Sequence, residues 1–255
     1  MYLNYVEHTN CIGQICNSIN FGKFEIISYE HSKGFDIRFL DTGHVKNVKL
    51  GEVRSGKIAD KFKPSVYGIG ILGDKYKASY NNVVAKEYRL WRGMLNRCYS
   101  KKTHKLRPRY ADCFTSPNFN SYTYFYEWRN KQVGFNVDGF ELDKDLLIKY
   151  NKIYSETTCV FLPKEINIVL EKSQRRRGNH PIGVGWHKAS KKFRAYLNKN
   201  GDSVHLEYFK DIDTAFIAYK TAKELHIKEL AEKWKDQIDE RAYNALMDYK
   251  VEITD

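Results

Sequence analysis

Hydrophobic and polar positions change period several times along the chain, and each change marks an expected element. In "GKFEIISY" (22–29) and "GFDIRFLDTG" (34–43), β-branched and aromatic residues cluster around a polar turn at His31-Ser32-Lys33-Gly34. Within the second run Phe35, Ile37 and Phe39 alternate with Asp36, Arg38 and Leu40, the period of a half-buried strand. "HVKNVKLGEVRSGKIAD" (44–60) and "PSVYGIGILGD" (64–74) continue the strand signals with glycine punctuation. The expectation for residues 1–80 is a small, strongly bent β barrel.

From Asn82 the period lengthens. Val84, Tyr88, Trp91, Leu95 and Cys98 recur at three- and four-residue steps, which predicts a helix with one apolar stripe. Lys86, Arg89, Arg92 and Arg97 fall largely off that stripe, where they form either a solvated face or phosphate contacts. "KKTHKLRPRYADCF" (101–114) reads as a basic loop, and Ser116-Pro117 as the start of a second helix with Phe119, Tyr122, Phe125 and Trp128 facing a core. An apolar strand then ends in Asp143-Lys144-Asp145, a second strand follows at Thr158–Phe161, and Pro163 opens a helix carrying Asn167. These elements form a central module over 81–172.

Periodicity is lost in "EKSQRRRGNH" (171–180), so 173–180 reads as a basic linker. Its Arg175, Arg176 and Arg177 would track a phosphate backbone or simply stay solvated. Three strand signals follow, at Ile182–His187, Phe193–Asn198 and Val204–Phe209, joined by "KASKK" and "NKNGDS". A long helix capped by Asp211 runs through Ala215, Ala218, Ala222 and Leu225, with a helical tail to Tyr249. The predicted class is α+β: a small β barrel of the Src-homology type, a helix-rich ββα module, and, over 181–255, a three-stranded antiparallel sheet packed by a helix.

Composition narrows the partners. A formal charge of +12 and a pI near 9.3 favour a polyanion, because each phosphate neutralised releases condensed counterions. Nineteen tyrosines suit small cores and wet interfaces. No run approaches the roughly 18 apolar residues of a membrane span, and "MYLNYVEHTN" lacks the regions of a signal peptide. Five cysteines without CxxC spacing point to reduced thiols, with no disulfide framework and no zinc site.

Two stretches carry a family resemblance. "KEYRLWRGMLNRCYS", "FELDKDLL" and "YSETTCVFLPKEIN" resemble the HNH-type homing endonucleases of phages and mobile elements. "GVGWHKASKKFRAYL", "HLEYF" and "DTAFIAYKTAKEL" resemble the ethylene-response-factor (APETALA-type) DNA-binding domain, which also occurs in such endonucleases. The second resemblance implies a sheet lying in a major groove, with Trp186, Lys188, Lys192, Arg194 and Tyr196 contacting double-stranded DNA. Glu207 departs from the glycine usual in that family.

The first resemblance implies one hard cation, Mg2+ or Mn2+, held by Asp143 and Asn167, with Asp145 a further carboxylate. Lys144 stands where the family has its histidine base, so Lys144 and Asp145 are the candidate catalytic pair. The expected function is a phage-type, sequence-selective DNA endonuclease in the cytoplasm of a bacterial host, with an atypical active site. The alternative is a catalytically inactive relative that binds DNA as a regulator or an antagonist of host machinery. A third reading is an adaptor whose barrel meets a protein partner. Target site and oligomeric state stay open.

Overall fold

The computed structural model describes residues 11–171, 180–199, 201–253 and 255. They divide into two compact units, one reaching Tyr126 and one running from Glu127. Both mix helices with antiparallel sheets, as an α+β chain should.

The first unit opens with a four-stranded meander, β1 (Ile15–Ser18), β2 (Gly22–Glu30), β3 (Gly34–Phe39) and β4 (Val45–Val48), in the order β1-β2-β3-β4. The alternation in "GFDIRF" sorts its faces. Phe24, Ile26, Phe35, Ile37, Phe39 and Val48 are buried, with Cys11 and Ile58. Glu25 and Arg38 pair across the solvated side. Helix α1 (Leu50–Ser55) adds Val53 to that core and ends at Gly56, whose φ of 64° favours glycine.

The sheet is open, which corrects the expected barrel: no described strand joins β1 to β4. The strand signals expected in 64–74 give turns and isolated bridges instead. Asp60, whose side chain is fully buried, accepts hydrogen bonds from the Thr42 hydroxyl (2.6 Å) and the Phe62 N–H (2.9 Å). It also meets His44 Nδ1 at 3.1 Å. "PSVYGIGILGD" turns back on itself at Tyr67-Gly68, where both φ values are positive, and its only β pairings among the described residues are two isolated bridges, Val66 with Gly70 and Ile71 with Ser121.

Next comes a two-residue hairpin, β5 (Ser79–Tyr80) and β6 (Val83–Val84), where the apolar spacing suggested the start of a helix. Asn81 and Asn82 both adopt positive φ (47° and 63°), the geometry of a tight primed turn between strand-favouring residues. Helix α2 therefore begins at Lys86 and runs to Tyr99, burying Trp91, Met94, Leu95 and Cys98. The Trp91 indole N–H donates to the buried Phe119 carbonyl at 2.8 Å.

The basic stretch expected as a loop holds helix α3 (Lys101–Leu106), because the Ser100 hydroxyl caps it by accepting the Thr103 N–H. A short strand, β7 (Phe114–Thr115), follows. Ser116-Pro117 starts only a single tight turn, and the next helix, α4 (Tyr122–Arg129), spans the division between the units.

In the second unit β8 (Phe140–Asp143) precedes a short strand, β9 (Ile153–Tyr154), and pairs antiparallel with β10 (Val160–Pro163), setting Asp143 opposite Val160. Helix α5 (Lys164–Leu170) packs on both β8 and β10. Then β11 (Val184–His187), β12 (Lys192–Lys199) and β13 (Asp202–Phe209) form a three-stranded antiparallel sheet. Helix α6 (Ile212–Trp234) contacts all three strands and is capped by the Asp211 carboxylate, which accepts the Thr214 N–H at 2.8 Å.

The first half of α6 buries Ala215, Phe216 and Tyr219 with Val184, Ala195 and Leu197. Its second half buries Ile227, Leu230 and Ala231 with Val160, Leu162, Ile166 and Val169 of the ββα element. Leu225, expected to face the sheet, is 59% exposed. It falls on the outer side because the apolar stripe shifts where the helix changes partner. Helix α7 (Glu240–Met247) completes the second core through Ala242 and Leu246. No described helix is long and apolar enough to cross a membrane.

At Gly183, just before β11, φ is +72° and an added Cβ would stand 2.0 Å from the Tyr219 ring. Gly183→Ala is expected to lower the unfolding free energy by about 2 kcal/mol or more, through overpacking and an unfavourable φ. Denaturant titration checks this, and an unchanged midpoint contradicts it.

Candidate nucleic-acid interface and hairpin site

Strand parity divides the three-stranded sheet into two chemically different faces. Val184 pairs with Ala195 and both are buried against α6. Gly185 pairs with Arg194 and His187 with Lys192, so these four residues lie on the opposite face. Tyr196 joins them despite a bulge between Ala195 and Tyr196. A Cβ on Gly185 would sit 3.6 Å from the Tyr196 ring, and the Arg194 guanidinium lies 5.0 Å from the ring centre.

Tyr208 pairs with Arg194, and its ring stands 4.9 Å from His187 and 4.4 Å from His205. The outer face is thus a continuous field of cations and flat rings. His187, His205 and Tyr208 were not legible as members, because only the register brings three strands' worth of side chains together.

The other expected contacts are distributed differently. Lys188 is exposed in the turn beyond β11. Trp186 pairs with Phe193 and meets its ring edge-on at 4.9 Å, which puts it on the helix-facing side of the sheet, away from Arg194. It remains 47% exposed there, at the end of the strand. Glu207 pairs with Ala195, so parity turns it away from the Arg194 face as well. Leu206 is the extra residue of the bulge and packs into the α6 core. Arg175, Arg176 and Arg177 lie outside the described residues.

The hairpin site is built around the loop that leaves β8. Asp143 Oδ1 accepts the backbone N–H groups of Asp145 and Leu146, both at 2.8 Å. Its carboxylate is densely surrounded, and burial pushes the carboxyl up despite those two donors.

Lys144 is buried, 5% exposed. Its Nζ donates to the Asp145 carboxylate and to the Asn151 carbonyl at 2.7 Å, and lies 5.6 Å from the Tyr154 ring centre. Asn151 answers by donating its amide to the Lys144 and Ile153 carbonyls. Lys144 therefore closes the loop from within, and its partner Asp145 is held by the same contact.

Asn167 sits one turn into α5, and its Oδ1 is buried without a hydrogen-bond partner. Cys159 on the neighbouring segment is buried, and its thiol is pushed up to about 12, so it contributes no thiolate. Among the described residues no group of three or more His, Cys, Asp or Glu converges. The donors that fit a hard cation are the Asp143 carboxylate and the unsatisfied Asn167 amide oxygen, both oxygen ligands. Comparison with protein-family models, with curated proteins and with solved structures finds no match for this chain.

The raised carboxyl of Asp143 has a pH signature in metal-free buffer. A folded-state value above the unfolded one means that folding takes up a proton, so stability falls as pH rises through the carboxylate range. Asp143→Asn keeps the Oδ1 acceptor and removes the charge. Its gain in stability over wild type is expected to be largest at neutral pH and to shrink on acidification, read by denaturant titration at both. A difference independent of pH contradicts the assignment.

Proposed function

We propose that the chain is a double-stranded DNA-binding protein that lays the outer face of β11–β13 in a major groove and acts by occupying its site. The supporting observation is the asymmetry of the sheet. One face is sealed by α6, while the other presents Lys192, Arg194 and Tyr196, extended by His187, His205 and Tyr208. A two- or three-stranded ribbon fits the major groove, where arginine and lysine reach guanine edges and nearby cations hold phosphates. The net charge of +12 supplies the long-range attraction.

Occupancy is preferred over cleavage because of Lys144. A general base must reach a water or a hydroxyl, and this amine is enclosed by Asp145, Asn151 and Tyr154. The second reading, a metal-dependent nuclease of the HNH type, draws on Asp143 and on the unsatisfied Oδ1 of Asn167. In that reading the two oxygens hold Mg2+ or Mn2+, which would neutralise charge at a scissile phosphate. The family frame, a phage or mobile-element protein working in a bacterial cytoplasm, belongs to the proposal through the resemblance of both segments.

Fluorescence anisotropy with duplex DNA in EDTA tests the first reading. Binding should be tight at low salt and fall steeply as salt rises. Arg194→Ala with Tyr196→Ala should weaken it at least tenfold, on the order of one lost bidentate or stacking contact. Unchanged binding in that variant, or a preference for single strands, contradicts the groove reading. Nicking of plasmid DNA that needs magnesium and disappears in Asp143→Ala would move the assignment to the nuclease.

A further inference from the structure

The geometry points to a second DNA contact on the first unit: the hairpin Ser79–Val84 is an apolar wedge that enters a minor groove, with the start of α2 holding the adjoining phosphates. This rests on the reading of the chain as a DNA-binding protein, but uses none of the residues of the β11–β13 face.

All six residues from Ser79 to Val84 are exposed, although three of them are large and apolar. Tyr80 is 55%, Val83 65% and Val84 44% exposed. Single exposed apolar residues are ordinary, whereas Tyr80 and Val83 form an exposed apolar pair directly behind the Asn81-Asn82 turn. The hairpin is also closed by hydrogen bonds at its base. Asn81 and Asn82 form the tight turn, the Ala85 N–H closes its base on the Ala78 carbonyl at 3.0 Å, and Arg89 donates to the Val84 carbonyl.

Charge decides the occupant. From Lys75 to Arg109 the chain carries eleven lysines and arginines and one acid, Glu87. Lys77 lies exposed just before the hairpin, and Lys86, Arg89 and Arg92 follow it on the outer side of α2, opposite buried Trp91 and Leu95. An apolar protein partner does not call for such a collar, whereas DNA does. Minor-groove proteins pair arginines and lysines with apolar side chains that part a base step, at the cost of unstacking it. Tyr80 and Val83 face each other across the strand pair, so they would act as one wedge.

The test uses the full chain and duplexes carrying a fluorescent adenine analogue whose emission rises on unstacking. Wild-type protein should raise the emission. Tyr80→Ser with Val83→Ser, both at exposed positions, should leave the melting temperature unchanged, abolish the rise and weaken binding about tenfold or more, as loss of a stacking side chain does. A variant that matches wild type in affinity and emission overturns the wedge, including where the hairpin proves to hold a protein. Arg194→Ala with Tyr196→Ala separates the two readings. If it weakens binding while the hairpin variant does not, the wedge alone fails; if only the hairpin variant weakens binding, the wedge stands and the sheet reading fails.

Discussion

Helix α6 is the member on which the second unit depends. Over Ile212–Trp234 it changes partner halfway, from the three-stranded sheet to the ββα element. Burying Phe216 and Tyr219 in one core and Ile227 and Leu230 in the other contributes roughly 1.5–3 kcal/mol per large side chain, so neither half is a loose appendage. Between the cores Lys223 and His226 are also buried, and Lys223 lies 5.5 Å from the Tyr219 ring centre. The two segments that resemble separate modules in sequence are therefore joined through one continuous helix.

That helix also decides what the sheet can do. Sealing the Val184, Ala195 and Leu197 side leaves the Gly185 side as the only broad face of this sheet open to a partner. Gly185 adds no side chain to that face, where the Arg194 guanidinium stands 5.0 Å from the Tyr196 ring centre. The bulge at Ala195/Tyr196 turns Leu206 into the core while Tyr208 and His205 stay outside. The chemistry of that face is thus set by register as much as by residue type.

Much of this was legible where period and burial coincide. The alternation in "GFDIRF" gave strand and inner face together, and Asp211 marked the start of α6. Barrel closure was not legible, because glycines in 64–74 satisfy a strand pattern and a turn pattern equally, and the positive φ at Tyr67 and Gly68 makes the turn. Val84 belonged to a helical stripe by spacing, yet the Asn81-Asn82 turn placed it in a hairpin. Trp186 was expected as a DNA contact through the family resemblance, and its pairing with Phe193 shows its side of the sheet. In the ββα element the strand ending at Asp143 and the helix carrying Asn167 were readable. The use of Lys144 as an internal fastener was not, since it depends on the Asn151 carbonyl seven residues away.

The central claim is that the sheet face opposite α6 is the one that meets DNA. Site-specific photo-cross-linking addresses it most directly, with a benzophenone side chain placed at position 196 on that face and, separately, at the exposed Ile217 position of α6. Under binding conditions in EDTA, the account predicts cross-links to duplex DNA from position 196 and none from position 217. Cross-linking from position 217 with none from position 196 would contradict it.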